Sequence, residues 1–281
     1  MTEDIKRKIL SNNVEIAYTD SGQKNKQVIL FLHGLANYHA VWNWNIETLQ
    51  NHFRCIAIDL PGNGSSGRDG KTFTIDFYTH AIIAFIKEMK LANVCVAGHS
   101  MGGLIAMKVA LSKEVALKKL ILFAPAGFEY YTPHESILFK SAITMGNFLN
   151  LDETQIAQSV RASFYKQNEI AEKMIKELSL IIQNNDRIQY RSMLEQSINS
   201  MLDEDVFSKL KNINVETLVF FGEDDMLIPN RFLHPVSTKD IATKATNEMP
   251  NAKLITYADT GHFVQIERAT EVNAEIVAFL N

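Results

Sequence analysis

Gly98-His99-Ser100-Met101-Gly102, with Gly103 directly after it, sets a serine between small residues, a spacing that can do nucleophilic chemistry. A serine hydroxyl is a weak nucleophile at neutral pH. It needs an imidazole to take its proton and a carboxylate to orient that imidazole. An apolar run, Val94–Ala97, precedes the motif, and a small-residue helical stretch follows from about Gly103 to Leu111. That setting predicts a tight strand-to-helix turn with strained backbone angles at Ser100, where side chains two positions before and after would collide. Gly98 and Gly102 stand at those positions. The helix N-terminus then aims the Met101 N–H at negative charge developing on a substrate oxygen.

Of the eight histidines, only His262 lies in a loop between a late strand and the last helix, in Asp259-Thr260-Gly261-His262-Phe263. Such a loop reaches the carboxyl edge of a parallel sheet, where open α/β folds hold their sites. His33 follows an early strand and reads as loop-shaping; His99 reads as packing beside the nucleophile. His39, His52, His80, His134 and His234 read as surface or capping residues. The strand Glu216–Phe221 runs into Gly222-Glu223-Asp224-Asp225, so any of three carboxylates qualifies by position. The other candidate loop, Pro125-Ala126-Gly127 after Leu120–Ala124, offers none.

Positioning these residues takes a sheet. Ile5–Leu10 and Val14–Thr19 flank Ser11-Asn12-Asn13, whose asparagines accept the left-handed angles of a hairpin turn. Gln27–Leu32, Arg54–Ile58, Val94–Ala97 and Leu120–Ala124 are continuous apolar runs, as in strands buried on both faces. Ile75, Tyr78, Ile82, Phe85, Ile86 and Met89 recur at helical spacing, with Thr74 or Asp76 as the cap. Strand and helix in alternation predict βαβ units. From Phe128 to Asn212 the strand pattern stops, and four helices are predicted near 135–149, 153–165, 168–183 and 186–202. Glu216–Phe221, Lys253–Tyr257 and a helix over Glu267–Leu280 then resume the alternation. The expectation is an α/β core of residues 1–127 and 213–281, interrupted by an all-helical segment of residues 128–212.

The bulk properties exclude other classes. A chain of 281 residues, 46% hydrophobic and 21% charged, is globular rather than disordered or fibrous. Its net charge of −4 offers no basic surface for nucleic acid. No run approaches the ~20 apolar residues of a membrane span. Met1–Leu10 is charged and lacks a signal-peptide core, so a cytoplasmic location is expected. Cys55 and Cys95 are too few for a disulfide scaffold and lack metal-ligand spacing.

Five segments in order resemble the α/β-hydrolase superfamily. They are His33-Gly34-Leu35, Asp59-Leu60-Pro61-Gly62-Asn63-Gly64-Ser65-Ser66, the Gly98–Gly102 motif, Gly222-Glu223-Asp224-Asp225 with Pro229, and Gly261-His262. The resemblance implies a mostly parallel eight-stranded sheet flanked by helices, with a helical cap between strands six and seven. It selects Asp225, four residues before Pro229, and gives the order Ser100, Asp225, His262. It also carries a second oxyanion N–H onto Leu35. The implied sheet order puts Gln27–Leu32 between the strands bearing Cys55 and Cys95, so both read as buried thiols rather than a disulfide.

The implied chemistry is acyl transfer to water on a small-molecule substrate, needing no metal or organic cofactor. Serine at the elbow argues against superfamily members that use aspartate there. The apolar stretch from Phe128 to Leu149, with Phe139, Ile143 and Phe148, suggests an apolar substrate pocket, although most of it reads as helix packing. Trp42 and Phe263 are further candidates for the pocket wall. Arg161, Arg187 and Arg191 would suit an acidic substrate, but exposed helix charge is the commoner reason for them. A carboxylesterase of small to medium apolar esters is the leading reading. A carbon–carbon bond hydrolase of the meta-cleavage-product type is disfavoured, because those enzymes resemble this chain but carry Asn where it has His99 and Trp where it has Phe263 and Ile266. A ligand receptor on the same fold is the third alternative.

Overall fold

The computed structural model describes residues 4–22, 27–68, 72–145, 152–183 and 186–281. The described strands are β1 (Lys6–Ile9), β2 (Glu15–Asp20), β3 (Val28–Leu32), β4 (Arg54–Ile58), β5 (Val94–His99), β6 (Lys119–Phe123), β7 (Thr217–Gly222) and β8 (Ala252–Tyr257). They join in one sheet of order β1-β2-β4-β3-β5-β6-β7-β8. The β1–β2 and β2–β4 pairs are antiparallel, and every pair from β4 to β8 is parallel. At the hairpin, Asn13 takes φ +60° and Leu10 N–H donates to Val14 O at 2.9 Å. The central strands are buried along their length, which is why they read as unbroken apolar runs. Ile29 pairs with Cys55 on one side and Cys95 on the other. Both thiols are free and buried, and burial raises the Cys55 pKa to about 12.

The helices are α1 (Asn43–Leu49), α2 (Ile75–Glu88), α3 (Met101–Ser112), α4 (Pro133–Met145), α5 (Glu153–Ala162), α6 (Glu169–Gln183), α7 (Arg187–Asp203), α8 (Thr238–Asn247), α9 (Val264–Glu267) and α10 (Ala269–Leu280). Thr74 caps α2 by accepting the Phe77 N–H at 3.1 Å. Helices α4–α7 fall between β6 and β7. The insertion docks on the core through named polar contacts. Tyr78 Oη lies 2.9 Å from Ser197 Oγ, and Ile75 N–H donates to Ser200 Oγ at 2.9 Å. Helices α1 and α8 were not anticipated from the sequence. The α8 start does carry a signal, Ser237-Thr238-Lys239-Asp240, which forms a reciprocal capping box. Among the described residues no helix is long and apolar enough to cross a membrane.

Candidate active site

Ser100 caps the N-terminus of α3 directly after β5, with φ +53° and ψ −117°. Such angles are costly for a residue with a side chain and persist only where neighbours hold them. Ser100 N–H donates to Phe123 O at 2.9 Å, and Ser100 O accepts from Gly103, Leu104 and Ala126 N–H at 2.9, 3.2 and 3.0 Å. The flanking glycines are required by contact. A Cβ on Gly98 would lie 2.3 Å from Gly102 O, and one on Gly102 would lie 2.4 Å from Leu32 O. Met101 is the first residue of α3, so its N–H has no intrahelical partner.

The loop after β3 passes against this turn. A Cβ on Gly34 would sit 3.2 Å from Ser100 Cβ and 3.0 Å from His99 Nδ1, so the start of this loop lies beside the serine. His33 shapes the loop from beneath. Its Nδ1–H donates to Gly34 O at 2.7 Å and its Nε2 accepts the Leu60 N–H at 2.9 Å. Burial lowers the His33 pKa to about 4, so the ring is neutral, as the Nε2 acceptor role demands. Asp59 braces the far end of the loop, accepting His39 N–H at 2.7 Å, His39 Nδ1–H at 2.8 Å and Ser65 N–H at 2.8 Å. Burial opposes its ionisation, but the His39 hydrogen bond and charge outweigh burial and hold its pKa below the usual value.

His262 Nδ1–H donates to Asp225 Oδ2 at 2.7 Å, and both side chains are buried. The other carboxylate oxygen, Oδ1, accepts Leu227 N–H at 2.7 Å and Ile228 N–H at 3.1 Å. The His262 Nε2 is thereby left as the acceptor nitrogen. His99, the residue before Ser100, donates from Nε2 to the His262 carbonyl at 3.0 Å, and its ring centroid lies 4.7 Å from that of His262. The structure thus pairs Asp225 with His262 and sets His262 against His99, the residue before Ser100, at the carboxyl edge of β5, β7 and β8. Glu223 instead pairs with Thr256 and Lys239, and Asp224 has no bond to the imidazole among the described contacts.

The anticipated pocket residues are placed unevenly. Trp42 has no exposed surface and packs between Phe31 and Phe123, with centroids 5.0 and 5.2 Å away. Phe128 is buried against Phe221. Both are corrected from pocket wall to core, because neither leaves any face for a ligand. Phe263 is buried too, stacked on Phe164 and tilted against His99, so it walls the histidines rather than open space. Phe139 and Ile143 lie half-buried, one turn apart on α4, next to exposed Ile137 and Leu138. Phe148 and Leu149 lie outside the described residues. Arg161 is held by Glu172 on the surface, at 2.8 Å. One neighbour of the site was missed from sequence. Glu267 accepts the Gly261 N–H, beside His262, at 2.9 Å.

Comparison with known proteins gives the family and the fold. The family model for the alpha/beta hydrolase fold matches residues 27–269. A non-heme chloroperoxidase of Burkholderia pyrrocinia is 28% identical over 96% of this chain and 97% of its own. The 2-hydroxy-6-oxononadienedioate/2-hydroxy-6-oxononatrienedioate hydrolase 1 of Pseudomonas putida is 25% identical over 95% of this chain and 92% of its own. An esterase of Exiguobacterium antarcticum superposes with a TM-score of 0.82 at 20% identity, covering 98% of both chains, a likeness of fold.

Proposed function

Because this chain belongs to the α/β-hydrolase family, we propose that it is a serine hydrolase of small to medium, apolar carboxylic esters. Ser100 is the nucleophile, His262 the general base and acid, and Asp225 the group that orients the imidazole. The carrying observation is the buried 2.7 Å bond from His262 Nδ1 to Asp225, at the sheet edge that presents Ser100 on its strained turn. In the first step, Ser100 Oγ attacks the ester carbonyl while His262 Nε2 takes the hydroxyl proton. The carbonyl electron pair moves onto oxygen, where the Leu35 and Met101 N–H groups receive it. A hole of this kind is worth about 3 kcal/mol per donor in comparable sites. Collapse breaks the C–O bond to the alcohol, which leaves with the proton from His262. Water, deprotonated by the same nitrogen, then cleaves the acyl-enzyme and regenerates Ser100.

Helices α4–α7 serve as a cap over this edge. The half-buried Phe139 and Ile143 on α4 favour an apolar acyl or alcohol group. His99 in place of Asn, and Phe263 and Ile266 in place of Trp, favour ester over carbon–carbon cleavage. Hydrolysis of p-nitrophenyl esters of graded chain length by wild type and Ser100→Ala tests the reading. Turnover by wild type and none above background by the variant is expected. Equal rates on every ester would refute it and raise the dienone-hydrolase and receptor readings.

A further inference from the structure

Glu267 sits at the end of α9, half-buried, and the chemistry above does not use it. Its two carboxylate oxygens bind two different parts of the chain. Oε1 accepts the Gly261 N–H at 2.9 Å, and Oε2 accepts the Tyr165 N–H at 3.0 Å, from the turn that follows α5 in the insertion. That turn also touches the histidine loop directly. Ser163 O accepts both His262 N–H at 2.8 Å and Phe263 N–H at 3.3 Å, and the rings of Phe164 and Phe263 stack at 5.0 Å. The approach is too close for a side chain at 261. A Cβ there would lie 2.7 Å from Tyr165 N and 2.8 Å from Ser163 O.

His262 is therefore gripped on three sides. Its ring is held by Asp225, its carbonyl by His99 and its N–H by the insertion. Arg268 secures the preceding stretch, donating to Thr260 Oγ1 at 2.9 Å and to Ala258 O at 2.8 Å. Glu267 links the insertion turn and the histidine loop through one side chain, and the Tyr165 side chain adds a bond from the same turn to Asp259. Burial raises its pKa, against the two N–H bonds and the Arg268 charge that favour the carboxylate.

We propose that Glu267 is a positioning residue. It clamps the 163–165 turn of the insertion to the 261–263 loop, so that His262 keeps its working position only while that end of the insertion stays docked. This inference rests on the serine-hydrolase reading for its kinetic consequence but not for its structural one. It makes the α5 end a fixed edge of the insertion, as the Ser197 and Ser200 contacts to α2 make α7 another.

Two measurements on wild type, Glu267→Ala and Glu267→Gln test it. The first is hydrogen exchange followed by mass spectrometry, which needs no substrate. In Glu267→Ala, peptides covering 163–165 and 261–263 lose protection together, whereas loss in one alone, or in neither, overturns the clamp. The second is kinetics on the best p-nitrophenyl ester, with the rate of fluorophosphonate labelling of Ser100. Glu267→Ala lowers kcat and the labelling rate by about 10- to 100-fold, the cost of a small misplacement of a reacting group, with KM within about twofold. Glu267→Gln keeps an acceptor for only one of the two N–H groups, since an amide nitrogen accepts nothing, and shows a smaller, severalfold loss. A folded Glu267→Ala with wild-type kcat overturns the proposal, as does a raised KM at unchanged kcat. Should the alanine variant fail to fold, Glu267→Gln decides: a severalfold drop in kcat and coupled loss of protection support the clamp, and wild-type values of both overturn it. A wild type that neither turns over esters nor labels sinks the serine-hydrolase reading instead, leaving the exchange result to judge the clamp.

Discussion

Replacing Asp225 by asparagine changes one heavy atom at a fully buried position, and the surrounding hydrogen bonds dictate the outcome. Oδ1 receives two backbone N–H groups, from Leu227 at 2.7 Å and Ile228 at 3.1 Å, while Oδ2 receives the imidazole Nδ1–H at 2.7 Å. An amide nitrogen accepts nothing, so it cannot face the two backbone donors without leaving them unpaired, at about 1–3 kcal/mol for each. The asparagine oxygen must stay toward Leu227 and Ile228, and the amide N–H₂ then points at His262. A donor facing Nδ1 forces the imidazole proton onto Nε2, the nitrogen that has to accept the serine proton. The variant therefore folds but holds the wrong tautomer. The corresponding change in a Ser-His-Asp protease lowers kcat by about 10⁴-fold. The same loss is expected here, about 5.5 kcal/mol of transition-state stabilisation, with KM little changed. Ester hydrolysis at neutral pH, alongside thermal unfolding, measures both sides. Retention of more than about a tenth of wild-type kcat, far above that expectation, would refute the tautomer argument. A larger loss in Asp224→Asn or Glu223→Gln would refute the choice of Asp225.

Gly102→Ala is expected to lower both Tm and kcat, because its Cβ would press within 2.4 Å of Leu32 O and 2.5 Å of His33 O, backbone atoms at the root of the 33–36 loop. Overpacking of this kind costs about 1–3 kcal/mol, and a variant with wild-type melting and turnover would contradict the contact. His33 makes stability pH-dependent. The unfolded chain protonates it near pH 6.5, whereas the folded chain does so only at about 4. Between those values the unfolded state holds more protons, so its contribution is complete above pH 6.5 and falls with pH by about 1.4 kcal/mol per unit, about 3 kcal/mol in all. Melting of wild type and His33→Asn between those pH limits checks this, and an unchanged slope in the variant contradicts it.

Much of the site was legible because its constraints are local. Gly98, Gly102 and Gly261 leave no room for a side chain, and buried strands such as β3 and β5 betray themselves as unbroken apolar runs. Ser100 and His262 could be named from the elements on either side of them. The acid could not be separated from its neighbours by position, since Glu223, Asp224 and Asp225 share one loop; the hydrogen bond to His262 is a tertiary fact. Trp42 misled because an aromatic near a reactive loop reads the same whether it faces a ligand or turns under into the sheet. Helix α8 was missed because its residues are mostly polar, although its capping box was readable. Glu267 left no local trace, since its two partners lie 102 and 6 residues away.

Covalent labelling of the folded protein by a fluorophosphonate, read by intact mass and peptide mapping, tests the central claim most directly. A single adduct on Ser100 in wild type, absent from Ser100→Ala and greatly slowed in His262→Ala, is the predicted result. No adduct in wild type, or an adduct that persists in folded Ser100→Ala, would contradict it.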